Sequence, residues 1–313
     1  MTLKTLPVAV LGLVLALTGC TSTIAASPDP SPSASASADA APEAPQVDRD
    51  PQGELPEVTF SDEGVPAMAT VDADPPTVIS VKTLDAGDGA VVGDGDFVTV
   101  NYAGFLWSDG TLFDSSYDGD PAGFSLNQVV DGWRYGLAGT KVGDRVLVVV
   151  PPDYGYGDEE SETIPAGSTL VFVVDVLGTT SVTTDVLTSA TPTGAALPEG
   201  LTITGGLGEE PTLAFAEDAA GPTEEQVVVL AEGSGATVAE TDTLLYHIVG
   251  GYWGEETSST WSSSYQQIAG GGGTATIGKK VGSRVLLLYP ADEDAGTGAQ
   301  VLVIDILASI PAA

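Results

Sequence analysis

The residues of this chain that could do chemistry are mostly aromatic side chains beside turn sequences. The single histidine, His247, has no cysteine partner, so we expect a strand-surface or core residue rather than a metal ligand. No serine stands in the G-x-S-x-G pattern of a nucleophile elbow. The sequence therefore predicts no metal site, no cofactor and no nucleophile. It leaves a set of aromatic residues, each of which alone would be a core residue by default: Tyr102, Phe113, Trp133, Tyr154, Tyr156 and Phe172.

Acidic residues dominate the charge of the chain. Lysine and arginine total 9 against 44 acidic residues, which gives a formal net charge of −35. Such a surface repels phosphate backbones, so nucleic acid is excluded as a partner and neutral or basic partners are favoured. The acidic run at 85–96, DAGDGAVVGDGD, lacks the spacing and the final glutamate of a calcium loop, and we expect solvated turns there.

The elements that must position the aromatic residues are mainly strands. FVTVNYAG (97–104) alternates apolar and polar residues as a half-buried strand does. RVLVVV (145–150) and TLVFVVDVL (169–177) are more apolar and should be central strands. NQVVDGWRYGLAG (127–139) is the one plausible short helix, with Gly139 as its stop. The predicted fold class is α+β, a twisted antiparallel sheet wrapped over one short helix.

The N-terminus has the features of an export signal. Lys4 precedes an apolar segment, 7–17, that is too short to span a bilayer, and LTGC then ends at the only cysteine, Cys20. This resembles the bacterial lipobox, so we expect residues 1–20 to be a lipoprotein signal peptide and Cys20 to be lipidated. An ordinary secretory signal with an incidental cysteine is the alternative. The Ser/Ala/Pro-rich segment 21–53 is expected to be a disordered tether.

The remainder contains an internal repeat. The segment 80–107 is echoed by 227–253, and similar echoes continue to the end of the chain. The repeat predicts two tandem domains, 54–178 and 196–313, joined by a linker at 179–195.

The first copy carries a set of motifs from about 97 to 177, which are VTVNYAG, the FDSS run, the GW of VVDGW, PPDYGYG and TLVFVVDVL. In their order and spacing, these motifs together resemble those of the FKBP-type peptidyl-prolyl isomerases. The resemblance implies an FKBP-like fold for each tandem domain and, for the first, catalysis of rotation about X-Pro bonds without metal or cofactor.

The resemblance also implies roles for individual residues. Trp133 matches the indole at the pocket floor, Asp114 the aspartate beside the bound amide, and Tyr156 the tyrosine that hydrogen-bonds a substrate carbonyl. For Asp114 the alternative is a turn cap before Ser115. The apolar substrate-binding residues implied by the resemblance are Tyr102, Phe113, Val129, Val130, Ile164 and Phe172.

Two positions depart from the family pattern. Ala122 falls where many members carry a further pocket aromatic, which predicts a thinner wall there. The covering loop DEESET (158–163) is acidic where the family usually has glycine and apolar residues. These departures are expected to affect substrate preference and inhibitor sensitivity more than activity.

The second copy is predicted to keep the strands and lose the pocket. Aligning TWSSSY (260–265) with LFDSSY places Ser262 opposite Asp114, and Leu302 stands opposite Phe172. The segment 266–280, QQIAGGGGTATIGKK, has four consecutive glycines and is not expected to form a helix. The second domain is therefore predicted to be a degenerate FKBP-like domain.

The sequence thus predicts an isomerase that acts on X-Pro bonds of exported or surface proteins. Its partners would be proline-containing polypeptide segments, and it would be anchored only by lipid to the outer face of the bacterial cytoplasmic membrane. The alternative is a non-catalytic chaperone or interaction module that holds proline-containing segments in the same pocket. A solute-binding lipoprotein is a weaker alternative, because the sequence offers too few helices for two α/β lobes.

Overall fold

The computed structural model describes residues 44–292 and 296–312. The predicted signal peptide, Cys20 and tether residues 21–43 lie outside these residues. Within them, no helix has the length and apolar character needed to cross a membrane.

Nine strands form the first half of the described chain. In chain order they are β1 (Val47–Asp48), β2 (Val58–Phe60), β3 (Pro66–Met68), β4 (Ile79–Asp85), β5 (Phe97–Leu106), β6 (Leu112–Ser115), β7 (Ala122–Ser125), β8 (Arg145–Val150) and β9 (Leu170–Thr180). Seven of them make one sheet in the order β1-β4-β8-β9-β5-β6, with β7 also paired to β5, while β2 and β3 form a separate hairpin. Every pair is antiparallel except β1–β4, which is parallel. The Val-rich strands β8 and β9 are central, as predicted, and the class is α+β.

One short helix, α1 (Asp131–Leu137), packs on this sheet inside the predicted helical segment. The first part of the predicted segment is not helical, because Gln128 N–H donates to the Ser125 carbonyl in a turn. A Cβ on Gly132 would lie 2.2 Å from Val150 Cγ1, so the glycine lets α1 approach β8 closely. This contact fixes the depth at which Trp133, the next residue, enters the molecule.

The end of the predicted tether is part of the fold, which corrects the tether boundary. β1 pairs with β4, and the Arg49 guanidinium donates to the carbonyls of Tyr135, Gly136 and Ala138 at 3.0, 3.3 and 2.5 Å. Carbonyls at a helix C-terminus lack intrahelical partners, and a cation there is also favoured by the helix dipole. Arg49 therefore fastens the start of the folded region to the end of α1.

Removing this cap should weaken the fold measurably. We expect Arg49→Ala to lower the free energy of unfolding by about 1–2 kcal/mol, because three helix-end carbonyls lose a charged donor. The matched control is Arg134→Ala on the same helix, whose ion pair with Asp94 is largely solvent-exposed and should contribute about 0–1 kcal/mol. Urea unfolding of both variants measures the difference, and equal losses would contradict the capping role.

The second half repeats this arrangement with nine further strands. They are β10 (Thr191–Pro192), β11 (Leu201–Thr204), β12 (Thr212–Phe215), β13 (Gln226–Glu232), β14 (Thr243–Tyr252), β15 (Ser258–Ser259), β16 (Gln266–Ile268), β17 (Arg284–Tyr289) and β18 (Gln300–Ile310). The sheet order is β10-β13-β17-β18-β14-β15 with β16 on β14, the same order as in the first sheet, except that β10 pairs antiparallel with β13 where β1 pairs parallel with β4. Residues 269–283, all described, contain a single 3-10 turn (Gly270–Gly272) and no α-helix.

The segment between the sheets, predicted as a linker at 179–195, is also structured. β9 extends to Thr180, a one-turn helix α2 covers Asp185–Thr188, and β10 pairs with β13. The side chain of Leu187 is fully buried in a cluster with residues of both sheets. Burial of this leucine gives the segment a fixed place in the fold.

The strand register corrects the predicted alignment of TWSSSY. Tyr102 N–H binds the Ser116 hydroxyl at 3.0 Å, and Ile248 N–H binds the Thr260 hydroxyl at 3.0 Å in the same way. The matching residue for Asp114 is therefore Ser258, not Ser262. The repeated serines misled the alignment, since hydroxyls that bind the neighbouring strand mark the true register. Neither register gives the second half a carboxylate at this position.

His247 lies within the second half of the molecule, on β14. It is 7% exposed, its ring stacks on Trp261 with centroids 4.7 Å apart, and Nδ1 lies 3.1 Å from the Thr260 hydroxyl. Burial lowers the pKa of this histidine below its usual value, because the charged ring would lose hydration.

This shift gives a pH prediction with a clear sign. The unfolded chain binds a proton at His247 with a pKa of about 6.5, and the folded chain binds it only at lower pH. The stability from the neutral ring is thus complete above about pH 6.5 and is lost as pH falls through the folded pKa. NMR titration of the single histidine should give a midpoint below 6.5, and one at or above 6.5 would contradict the prediction. In His247→Asn, the fall in unfolding free energy from pH 7 to 5 should be smaller.

Candidate active site

A cluster of perpendicular aromatic rings centres on Trp133. This indole is 5% exposed, and the rings of Tyr102, Phe124 and Phe172 lie 5.4, 5.1 and 5.3 Å from it, at interplanar angles of 87°, 73° and 88°. Such edge-to-face pairs are favourable because the positive edge of one ring meets the negative face of the other. The sheet supplies three walls, and α1 supplies the ring between them.

Phe113 completes the aromatic wall from β6. Its ring meets Phe172 edge-on, with centroids 5.7 Å apart. Gly104, on the strand between them, makes the contact possible, because a Cβ there would lie 2.6 Å from Phe113 Cζ and 3.0 Å from Phe172 Cε1. A glycine in the middle of β5 therefore has a packing reason at the site.

A carboxylate stands at the rim of this cluster. Asp114 is exposed, and Tyr102 donates its hydroxyl to Asp114 Oδ2 at 2.5 Å while Ser115 N–H binds Oδ1 at 2.9 Å. Burial, and then Asp114, raise the pKa of the Tyr102 hydroxyl, so it remains a protonated donor at neutral pH. Asp114 thus contacts its own turn and is also oriented by a pocket aromatic.

The covering loop forms a separate edge of the site. Tyr156 is 47% exposed and Ile164 is 9% exposed. Ser161 holds the loop by accepting the Ile164 N–H at its hydroxyl and donating its own N–H to the Ile164 carbonyl, at 3.1 and 2.9 Å. A cleft of about 250 Å³ lies here, lined by Tyr156, Glu159, Glu160, Ser161 and Ile164.

The structure brings most of the predicted residues into one core cluster. Its buried members include Trp133, Ile164 and Phe172, and its partly buried members include Tyr102, Phe113, Val129, Val130 and Tyr154. Asp114 joins this group through Tyr102, and Tyr156 shares the cleft with Ile164.

Phe124 is the pocket residue that sequence reasoning missed. It lies two residues after Ala122 on β7 and packs against both Tyr102 and Trp133. The sequence AGFS could have indicated this residue. Side chains alternate between the two faces of a strand, so Phe124 lies on the same face as Ala122. The side of the pocket where Ala122 lacks an aromatic ring therefore has the ring of Phe124, which lies on the same face of β7.

Among the described residues, the corresponding face of the second sheet lacks the aromatic side chains of this pocket. Gly250 pairs with Leu302 as Gly104 pairs with Phe172, so leucine takes the place of that ring. Ile248 occupies the position of Tyr102, by its shared bond to the hydroxyl of the next strand. Among the described residues, no group of three or more His, Cys, Asp or Glu side chains could hold a metal ion.

The matches to known proteins fall in the part of the chain that carries the aromatic cluster. The family described as FKBP-type peptidyl-prolyl cis-trans isomerase matches residues 89–177. A probable FK506-binding protein of Corynebacterium glutamicum is 38% identical over 103 residues, which are 33% of this chain and 87% of that protein. The FK506-binding protein of Streptomyces anulatus is 38% identical over 109 residues, 33% of this chain and 88% of that protein.

The isomerase FkpA of Escherichia coli strain K12 is 42% identical over 102 residues, 32% of this chain. The match spans only 37% of the length of FkpA. The match over nearly the whole of two small relatives, together with the indole-centred aromatic cluster on α1 and the sheet, shows that this chain belongs to the family of FKBP-type peptidyl-prolyl cis-trans isomerases.

Proposed function

We propose that the first half of the chain catalyses cis-trans isomerisation of X-Pro peptide bonds. The observation that carries this proposal is the enclosure of Trp133 by the rings of Tyr102, Phe124 and Phe172, with Asp114 oriented at the rim. A pyrrolidine ring is apolar and flat enough to rest against such a surface. The peptide bond before it then lies beside the polar groups of the rim and the covering loop.

The reaction suits a site without a nucleophile or metal. Rotation about a peptide bond meets a barrier of about 18–20 kcal/mol, because amide resonance is lost in the twisted state. Each 1.36 kcal/mol removed from that barrier raises the rate about tenfold, so several kcal/mol suffice. An apolar pocket disfavours the dipolar planar amide relative to the less polar twisted form. Only contacts that improve in the twisted state raise the rate.

Tyr156 and Asp114 are the polar groups proposed to act on the substrate, and their positions give them different roles. Tyr156 is exposed in the cleft beside Ile164, so its hydroxyl is free to bind a substrate carbonyl. Asp114 is held by Tyr102 and Ser115, so its charge stays at one place relative to the bound amide. Preorganised groups of this kind need no rearrangement as the bond twists.

The proposed clients are exported or surface proteins. The export signal and the lipobox cysteine support a lipid anchor at the outer face of the bacterial cytoplasmic membrane, with the Ser/Ala/Pro-rich segment as a spacer. We expect Cys20→Ser to move the protein from the membrane fraction of cells to the soluble or secreted fraction. Unchanged fractionation would count against lipid anchoring.

The test of the activity is a prolyl-peptide isomerisation assay on the purified protein. We expect acceleration over the uncatalysed rate, and a loss of about tenfold in Tyr156→Phe, which removes one hydrogen bond from the rim. The matched control is Tyr252→Phe, since Tyr252 is 43% exposed but lies in the second half. Peptide binding without acceleration by the wild type would instead support the non-catalytic chaperone, which the acidic loop residues Glu159 and Glu160 motivate.

A further inference from the structure

The two sheets meet beside the segment that carries two pocket residues. This segment, residues 126–130, connects β7 to α1 and includes Val129 and Val130. The side-chain amide of Gln128 donates to the backbone carbonyl of Tyr265 at 2.9 Å. Tyr265 belongs to the second half, 137 residues away along the chain.

Tyr265 itself is fixed by burial between the halves. It is 7% exposed and lies in a cluster with Phe97 of β5, Leu245 of β14 and Leu307 of β18. Leu187 of α2 closes the same cluster. Because both sheets and the connecting segment contribute apolar side chains, the carbonyl that Gln128 binds is held in place from several directions.

Polar groups of the first sheet lie near the same tyrosine. Burial raises the pKa of the Tyr265 hydroxyl, the nearby Ser125 lowers it, and the charge of Asp96 raises it. Phe97, in turn, packs tightly over β7, since a Cβ on Gly123 would lie 2.5 Å from Phe97 Cζ. Tyr265 therefore lies against the strand that leads into the 126–130 segment.

We infer that the second half, whose described residues lack the aromatic pocket, positions the pocket of the first half. Tyr265 presents a fixed carbonyl to Gln128, and Gln128 holds the segment that places Val129 and Val130 at the proline site. Gln128 is thus a positioning residue, which acts through its neighbours and does not contact the reacting bond. The inference rests on the proposed isomerase function for its effect on activity.

The experiment uses full-length Gln128→Ala beside Asn127→Ala. Asn127 is the adjacent amide and donates at 3.3 Å to the Gly95 carbonyl, within the first half. For Gln128→Ala we expect KM for a prolyl peptide to rise roughly three- to tenfold, the factor of one lost hydrogen bond, with kcat little changed. Amide hydrogen exchange across 126–130 should accelerate. Asn127→Ala should change neither KM nor exchange of Val129 and Val130.

A second variant separates positioning from folding. Tyr265→Ala should give the same rise in KM together with a lower melting temperature, and the double variant should show no further rise in KM. Unchanged KM and unchanged exchange in Gln128→Ala would overturn the inference. If the wild type proves inactive on prolyl peptides, the proposed function fails, while the exchange measurement still decides whether the second half holds this segment.

Discussion

Asp305→Asn should destabilise the protein by about 3–5 kcal/mol, the largest effect on stability that we expect from a single substitution in this chain. Asp305 is fully buried and Arg284 is 4% exposed, and their side chains make two hydrogen bonds of 2.7 and 3.0 Å. Arg284 also donates to the carbonyls of Gly206 and Glu209. Loss of the carboxylate charge leaves a guanidinium buried without its counter-charge, and this penalty exceeds the value of the pair itself.

The repeat supplies a matched control for this prediction. Arg145 and Asp175 make the equivalent pair in the first sheet, but their side chains are 23% and 17% exposed. Water can compensate the unpaired arginine there, so Asp175→Asn should lose less stability than Asp305→Asn. Chemical unfolding of both variants measures the contrast. Equal losses, or a loss below about 1 kcal/mol for Asp305→Asn, would show that burial does not set the energetics of this pair.

Strand content and the members of the aromatic cluster were predictable because both depend on local pattern. RVLVVV and TLVFVVDVL could be recognised as central strands since they are apolar on both faces. The proposed pocket residues could be named because each stands in a recognisable motif, and the structure places most of them in one core cluster with Trp133. Phe124 was not predicted as a pocket residue, because a single phenylalanine in a four-residue edge strand is not part of a recognisable motif.

The parts that could not be predicted depend on contacts between distant residues. Nothing local in 179–195 reveals that Leu187 will be buried by two sheets. Arg49 sits in a Pro/Asp-rich stretch whose composition indicates disorder, yet its partners lie 86–89 residues away at the end of α1. The predicted register of TWSSSY was wrong for a similar reason, since the register is set by the hydrogen bond from Ile248 N–H of β14 to the Thr260 hydroxyl and not by similarity of sequence.

Trp133→Leu should lower kcat/KM for prolyl peptides on the order of 100-fold, which corresponds to about 2.7 kcal/mol of transition-state stabilisation. The indole is the one ring that contacts Tyr102, Phe124 and Phe172 together, so its removal takes away the surface on which proline would rest and loosens the three walls. Leucine keeps part of the apolar volume, which limits the cavity left behind. The measurement is steady-state kinetics on the folded fraction of each variant.

Trp107→Leu is the control that distinguishes loss of the pocket from loss of core packing. Trp107 is buried to nearly the same extent, 6% against 5% exposed, but it lies in another cluster and its indole N–H donates to the Ala73 carbonyl. Both substitutions remove a buried indole, so both should lower stability, whereas only Trp133→Leu should lower kcat/KM of the folded protein. A rise in KM with kcat unchanged would show that the indole holds ground state and transition state equally, and the rate enhancement would then have to come from the rim groups Asp114 and Tyr156. Equal kinetic losses in both tryptophan variants would remove the catalytic assignment of the Trp133 pocket.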